Sequence, residues 1–241
     1  MNTEIRAAQG RDGLDTEYKF GFNADISNTE ETVWDEGGIY VYPGSAAQWK
    51  VSSSSTDDDD GGTGALTVRI YGLDANYDLQ DEVITLDGQT VVMTVGSYIR
   101  VFRGIVLTAG SGGVNAGDIY VGTGTVSSGV PAVKYLKITA TMNQTLMAIW
   151  TVPADTWFYL TALTASTYGN SSQSLTFRLV ARPYGEVFQT KSKFLLFRSP
   201  VVWDHRIPLR FEPKTDIEVR AVASGGTIDA SAAFEGYMMS R

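Results

Sequence analysis

Polar and apolar residues alternate with a period of two along much of the chain, and that period limits what the backbone can form. In Thr176-Phe177-Arg178-Leu179-Val180-Ala181-Arg182 and Asp216-Ile217-Glu218-Val219-Arg220-Ala221 it predicts strands with one buried face and one wet face. Leu66-Thr67-Val68-Arg69-Ile70-Tyr71 and Thr90-Val91-Val92-Met93-Thr94-Val95 are rich in β-branched and aromatic residues, which suit a pleated surface. Between such runs, Leu86-Asp87-Gly88-Gln89 sets an Asp-Gly pair where a two-residue hairpin turn needs one. Strands are expected at 33–34, 38–42 and 49–51, then near 65–73, 79–87, 90–96, 98–108 and 117–123. A second series is expected near 133–141, 144–151, 157–166, 174–182, 186–198, 207–211, 216–223 and 228–238. Short strands at even spacing, separated by Gly, Asn and Asp clusters, predict sandwiches or barrels.

Residues 1–30 show neither period and read as an extended or partly disordered arm that orders on docking. Ser127-Ser128-Gly129-Val130-Pro131 reads as a domain join, and six of the seven prolines lie from Pro131 onward. The fold class expected is therefore all-β. Two antiparallel β-sandwich domains, 31–130 and 131–241, follow the arm in tandem. The second packs eight strands into its length and is expected to be jelly-roll-like. A chain of 241 residues can build two such cores without covalent staples.

Composition adds exclusions. With no cysteine there is neither a disulfide framework nor a thiolate metal site. The N-terminal stretch lacks the apolar core of a secretory signal, and no run approaches the roughly 18 apolar residues of a membrane span. The expectation is synthesis in a cytoplasm and no membrane partner. Residues 1–130 carry 7 Lys and Arg against 19 Asp and Glu, whereas residues 131–241 carry 12 against 8. Such segregation suggests halves that face different surroundings, or two solvated surfaces of differing composition. The basic residues are spread along strands and not gathered into a patch, so no nucleic-acid partner is expected.

Candidate chemistry is sparse. Asp57, Asp58, Asp59 and Asp60, followed by Gly61-Gly62, offer hard oxygen ligands and are weak candidates for calcium. No glutamate closes a twelve-residue loop there, and a solvated loop is the competing reading. His205, the sole histidine, follows Asp204, but neighbouring strand residues point to opposite faces. A histidine-dependent triad would need it, and no Gly-x-Ser-x-Gly elbow accompanies it. Gly110-Ser111-Gly112-Gly113 and Gly122-Thr123-Gly124 lack a Walker lysine and a following helix, and read as turns. Trp150, Trp157, Phe158, Tyr159 and Tyr168 are assigned mostly to the core, with sugar stacking as the rival. The chain is not expected to be an enzyme, to hold a cofactor or to carry a catalytic residue.

Several longer phrases carry a resemblance. They include Val33-Trp34-Asp35 with Gly37-Gly38 nearby, Ser52-Ser53-Ser54-Ser55 leading to Gly61-Gly62-Thr63-Gly64-Ala65, Ile70-Tyr71-Gly72-Leu73-Asp74, and Ala109-Gly110-Ser111-Gly112-Gly113-Val114-Asn115-Ala116-Gly117. In the second half they include Gln144-Thr145-Leu146-Met147-Ala148-Ile149-Trp150, Arg182-Pro183-Tyr184-Gly185-Glu186 and Lys214-Thr215-Asp216-Ile217-Glu218. Together these phrases resemble a family of virion structural proteins of tailed bacteriophages, especially those of marine bacteria and cyanobacteria. The resemblance implies a place in the particle and no catalytic residues. A Gly-rich β protein with a polar arm also suits closed assembly, in which neighbours cover strand edges. The expectation is a capsid decoration or cement protein, a homotrimer on the outer surface of the virion that binds the major capsid protein and stabilises the head. The alternative is a tail or neck component, with binding of a host glycan as its non-structural variant.

Overall fold

The computed structural model describes residues 3–169, 173–197 and 199–240. Among them it is all-β, built from small antiparallel sheets. Helix α1 (Thr3–Ala8) precedes β1 (Leu14–Ile26) and β2 (Glu31–Thr32). Strands β3 (Lys50–Ser53), β4 (Ala65–Leu73), β5 (Leu79–Thr85), β6 (Val92–Met93), β7 (Arg100–Ala109), β8 (Ile119–Ser127) and β9 (Val130–Ile138) follow. The last seven are β10 (Ile149–Thr151), β11 (Thr156–Tyr168), β12 (Leu175–Arg182), β13 (Gln189–Leu196), β14 (Val201–Phe211), β15 (Asp216–Ala223) and β16 (Ile228–Ser240).

The chain forms two compact units, and they are nested in sequence instead of being in tandem. An outer unit comprises Met1–Tyr40 and Met147–Arg241, and an inserted unit comprises Val41–Leu146. The join expected at 130/131 is corrected: Val126 pairs with Pro131 and Ser127 with Val130 in the β8–β9 hairpin. Its turn residues Ser128 and Gly129 both have positive φ. Small residues and a proline serve a tight turn onto an edge strand as well as they serve a linker, which is why the signal misleads. The charge segregation follows sequence and not structure. The outer unit holds 13 Lys and Arg against 17 Asp and Glu and the inserted unit 6 against 10, so each carries a net charge of −4.

The arm expected over 1–30 is also corrected, although its Met1 and Asn2, like Arg198 at the end of another expected strand, lie outside the described residues. Residues 14–26 form β1, paired to β16 from Leu14↔Met239 to Ile26↔Ile228. Its buried positions include Lys19, Gly21 and Asn23, while Tyr18 just before them is exposed and Phe20 and Phe22 between them are only half-buried, so the hydrophobic alternation is inverted. A Cβ at Gly21 would lie 2.2 Å from the Val33 carbonyl oxygen and 2.4 Å from the Ala148 nitrogen. Only glycine lets the backbones approach so closely.

In the outer unit, one sheet has the order β1-β16-β11-β14 and the other β10-β15-β12-β13, with β2 also pairing β15. Strands β2 and β10 share one edge of β15. The Val33 amide donates to the Val219 carbonyl (2.8 Å), and the Val219 amide donates to the Ala148 carbonyl (3.1 Å). They are two halves of one strand position, between which the inserted unit leaves and returns; Trp34 bridges Met147 at that point. Counted so, the unit has eight positions along the chain, and its sheets read 1-8-3-6 and 2-7-4-5. Phe158, Leu160 and Phe234 from one sheet and Phe177, Leu179, Ile217 and Val219 from the other are buried. The Trp150 ring meets Phe158 edge-on with centroids 4.8 Å apart, joining the two sheets.

The inserted unit has sheets β6-β3-β8-β9 and β5-β4-β7 over a core that includes Val51, Val68, Ile70, Ile119, Val121 and Leu136. Asp87-Gly88 does turn, the Thr90 amide donating to the Asp87 carbonyl (2.8 Å), but the antiparallel pairing across it stops at the Asp87–Thr90 bridge and does not join β5 to β6. Strand β5 pairs β4 and strand β6 pairs β3, so the turn carries the chain from one sheet to the other.

Candidate functional site

The acidic run is a structural hub around one of its four carboxylates. Asp58 is fully buried. Its Oδ1 accepts from the amides of Ala65 and Ala116, both at 2.7 Å. Its Oδ2 accepts from the Ser53 hydroxyl (2.5 Å) and the Gly117 amide (2.9 Å). Asp59 caps the Gly61 amide (2.8 Å), whereas Asp57 and Asp60 are exposed. Asp58 is therefore closed to calcium: a carboxylate that already accepts from four N–H and O–H donors has no lone pair left for a cation. Among the described residues, no group of three or more acids or histidines is arranged to hold a metal. The glycine turn is tied to the same loop, the Gly110 amide donating to Gly64 (2.7 Å) and the Gly112 amide to Thr63 (2.8 Å).

His205 lies beside Trp203, ring centroids 6.4 Å apart, and its Nε2 is buried without a hydrogen-bond partner among the described residues. Burial lowers its pKa, partly offset by Asp204. Of the aromatic candidates, Trp150 and Phe158 are core. Trp157 donates its indole N–H to Glu212 (3.1 Å) and lies under the Arg210 guanidinium. Tyr159 stacks on Tyr237 at 5.1 Å, and Tyr168 is exposed.

The wet face of the β10-β15-β12-β13 sheet carries a charge ladder that the sequence reading did not single out. Arg178 on β12 stands directly opposite Arg220 on β15, a repulsive pairing. Glu30 relieves it, accepting from Arg178 Nε (2.6 Å) and Nη2 (2.5 Å) and lying 3.5 Å from Arg220 Nη1. Arg220 also pairs with the fully buried Glu218. Asp216, likewise buried, accepts from Arg182 and from the Thr151 hydroxyl (2.7 Å). The Phe188 ring lies beneath both Arg182 (4.8 Å) and Arg220 (4.5 Å). Arginine and acid at alternate positions of facing strands are the signal that reveals this ladder, once register is known.

Two further surfaces of the outer unit stand out. A groove of about 470 Å³ over α1, β1, β16 and Thr161 of β11 is lined by Glu4, Glu17, Glu235, Tyr18 and Tyr237, with no lysine or arginine among the described residues that line it. Burial raises the Tyr237 pKa, and Tyr159 and Glu4 push it in the same direction. On the edge strands β13 and β14, Leu195, Phe197 (just after β13), Val202, Trp203 and Ile207 are exposed. Phe194 stacks on Trp203 at 6.2 Å, linking the two strands. The first of these surfaces is acidic and the second largely apolar.

No protein-family model and no curated protein matches the chain. Among solved structures it is similar to that of the infectious bursal disease virus Gx strain, at 9% identity and a TM-score of 0.26, over 94% of this chain and 72% of that one. It is similar to infectious bursal virus derived T=1 particles at 9% identity and a TM-score of 0.24, over 94% of this chain and 69% of that one. Likeness of this degree carries no argument about function.

Proposed function

We propose that this protein is a non-enzymatic structural subunit of a tailed-phage particle, a head decoration protein that binds the major capsid protein and reinforces the shell. The observation that carries the reading is the strand order of the outer unit. In sheets of order 1-8-3-6 and 2-7-4-5, positions 1 and 8, 2 and 7, 3 and 6, and 4 and 5 lie side by side. A ribbon of four strand pairs rolled into two facing sheets is the pattern of a jelly roll, a fold used by viral capsid domains and by lectins. Placement on a phage particle rests on the resemblance of the sequence phrases to virion proteins. The sugar-binding use of the fold is disfavoured because Trp150 and Phe158 are core, Trp157 is covered by Arg210, and Tyr159 is stacked on Tyr237.

Immunogold labelling of intact particles with an antibody to this chain tests the reading. Label spread over the head is the expected result. Label confined to the tail or neck would replace decoration with a tail role, and particles without label would end the virion reading.

A further inference from the structure

Strand β14 is an edge strand whose middle projects from the sheet. Leu160 pairs Leu209 and Ala162 pairs Asp204, so four residues, His205-Arg206-Ile207-Pro208, face the single residue Thr161. This bulge leaves Ile207 84% exposed. A bulge and a proline on an edge prevent another strand from adding to the ladder, so this edge is suited to side-chain contact and not to sheet extension. Within β13 and β14 the described charges are mostly positive, Lys191, Lys193, Arg206 and Arg210 against Asp204, with Arg210 paired to Glu212 just after β14 (2.7 Å). Leu195, Val202 and Trp203 supply exposed apolar area beside Ile207. Basic charge framing an exposed apolar knob calls for a surface that is concave, partly apolar and acidic.

The same unit carries such a surface. The groove over β1 and β16 has Ala7, Tyr18 and Tyr237 on its walls and Glu4, Glu17 and Glu235 among its lining residues, with no lysine or arginine among the described residues that line it. It runs from β1 across β16 as far as Thr161 on β11, the residue the bulge faces. We propose that copies of this chain associate head to tail, the Arg206-Ile207 knob of one copy entering the Glu17/Glu235 groove of the next. A contact between two different surfaces is heterologous, and it closes into a ring when the rotation allows. The proposal deepens the reading of the chain as an assembling structural subunit, and rests on it, by naming the surfaces through which copies meet.

The test uses the full chain in analytical ultracentrifugation, with two one-sided variants that create no new charge, Arg206→Ala/Ile207→Ser for the knob and Glu17→Gln/Glu235→Gln for the groove. Wild type is expected to oligomerise at about 10 μM, and each variant to weaken association by about tenfold or more. An equimolar mixture of the two is expected to form a dimer that grows no further, because one intact knob meets one intact groove. Retained melting temperatures establish that the variants fold, and Ile207→Ser with Glu235→Gln repeats the comparison with milder changes. A wild-type chain that stays monomeric to about 1 mM, or oligomers indifferent to both variants, overturns the proposal. So does a mixture that remains monomeric. None of these results touches the decoration reading, which stands or falls on where gold binds the particle.

Discussion

Each unit buries carboxylates, and the two units solve the problem in different ways. In the inserted unit, Asp58 is satisfied by three backbone amides and one hydroxyl, with no cation beside it. In the outer unit, Asp216 and Glu218 are satisfied by guanidinium groups on the same or the facing strand, and Glu30 holds two opposed arginines together. The first arrangement fixes backbone: residues 53, 65, 116 and 117 converge on one side chain, so a loop without regular structure has a defined shape. The second fixes side chains on strands whose backbone is already paired. Loss of the acid should therefore unravel local structure in one unit and merely unbalance charge in the other.

The largest effect is expected at Asp58. Asp58→Ala strands four buried donors, each costing about 1–3 kcal/mol when left unpaired. Partial relaxation leaves a loss on the order of 4 kcal/mol in urea unfolding. Asp58→Asn keeps the shape but points an amide N–H₂ at donors. With that group at the Oδ2 position the Ser53 hydroxyl can turn to accept, while the Gly117 amide cannot, so about half the loss is expected. Native-state hydrogen exchange should show the amides of Ala65, Ala116 and Gly117 losing protection first. Unchanged protection there, with global loss elsewhere, would contradict a local hub.

At Glu30 a smaller effect is expected. Glu30→Gln leaves Arg178 and Arg220 opposed without a neutralising charge. The Glu30 side chain is 28% exposed, so solvent screens the result and the loss is about 1–2 kcal/mol. Raising salt should narrow the gap between wild type and variant, because screening weakens both the attraction lost and the repulsion left behind. The same salt series should leave the Asp58→Asn deficit unchanged, since amide donors carry no net charge. A salt-insensitive Glu30 deficit would mean that the ladder acts through packing on Phe188 and not through charge.

The contrast also explains what the sequence made legible. Alternation in 175–182 and 216–223 gave β12 and β15 almost residue for residue, because both strands have one clean apolar face. The same logic failed for β1, whose inward positions include Lys19, Gly21 and Asn23; close backbone approach and polar burial have no hydrophobic signature. Four consecutive aspartates read as a solvated or cation-binding loop, since nothing in one sequence tells that the second of them meets amides 58 and 59 residues later. The nested order was hidden for a similar reason. The outgoing and returning halves of one strand position, 31–33 and 148–151, are each too short to show a period, and only register unites them. The charge ladder was visible as residues but not as pairs, because Arg178, Arg220 and Glu30 come together only through register.

The smallest effect sharpens the comparison through pH. One carboxyl in each unit is held below its ordinary pKa against the pull of burial. For Glu31 of the outer unit, burial alone would raise the value, but the amides of Gly38 and Ser27, with Asn23, outweigh it. For Asp118 of the inserted unit, burial is outweighed by the Ala140 amide, Lys137 and the Tyr120 hydroxyl. A depressed carboxyl contributes stability that is present above its unfolded pKa and lost as pH falls through its folded pKa. The windows therefore open near the ordinary values, 4.5 for Glu31 and 3.8 for Asp118, and extend below them. Glu31→Gln and Asp118→Asn should each lower the melting temperature at about pH 7, and each deficit should shrink toward about pH 3 as the wild-type carboxyl takes up its proton. Because Lys137 supports Asp118 while only uncharged donors support Glu31, added salt should reduce the Asp118→Asn deficit alone. That outcome reverses the assignment made for the buried acids, placing the cation-dependent carboxyl in the inserted unit. It would show that the choice between amide and cation is made loop by loop, according to which donors the backbone leaves unpaired, and not unit by unit.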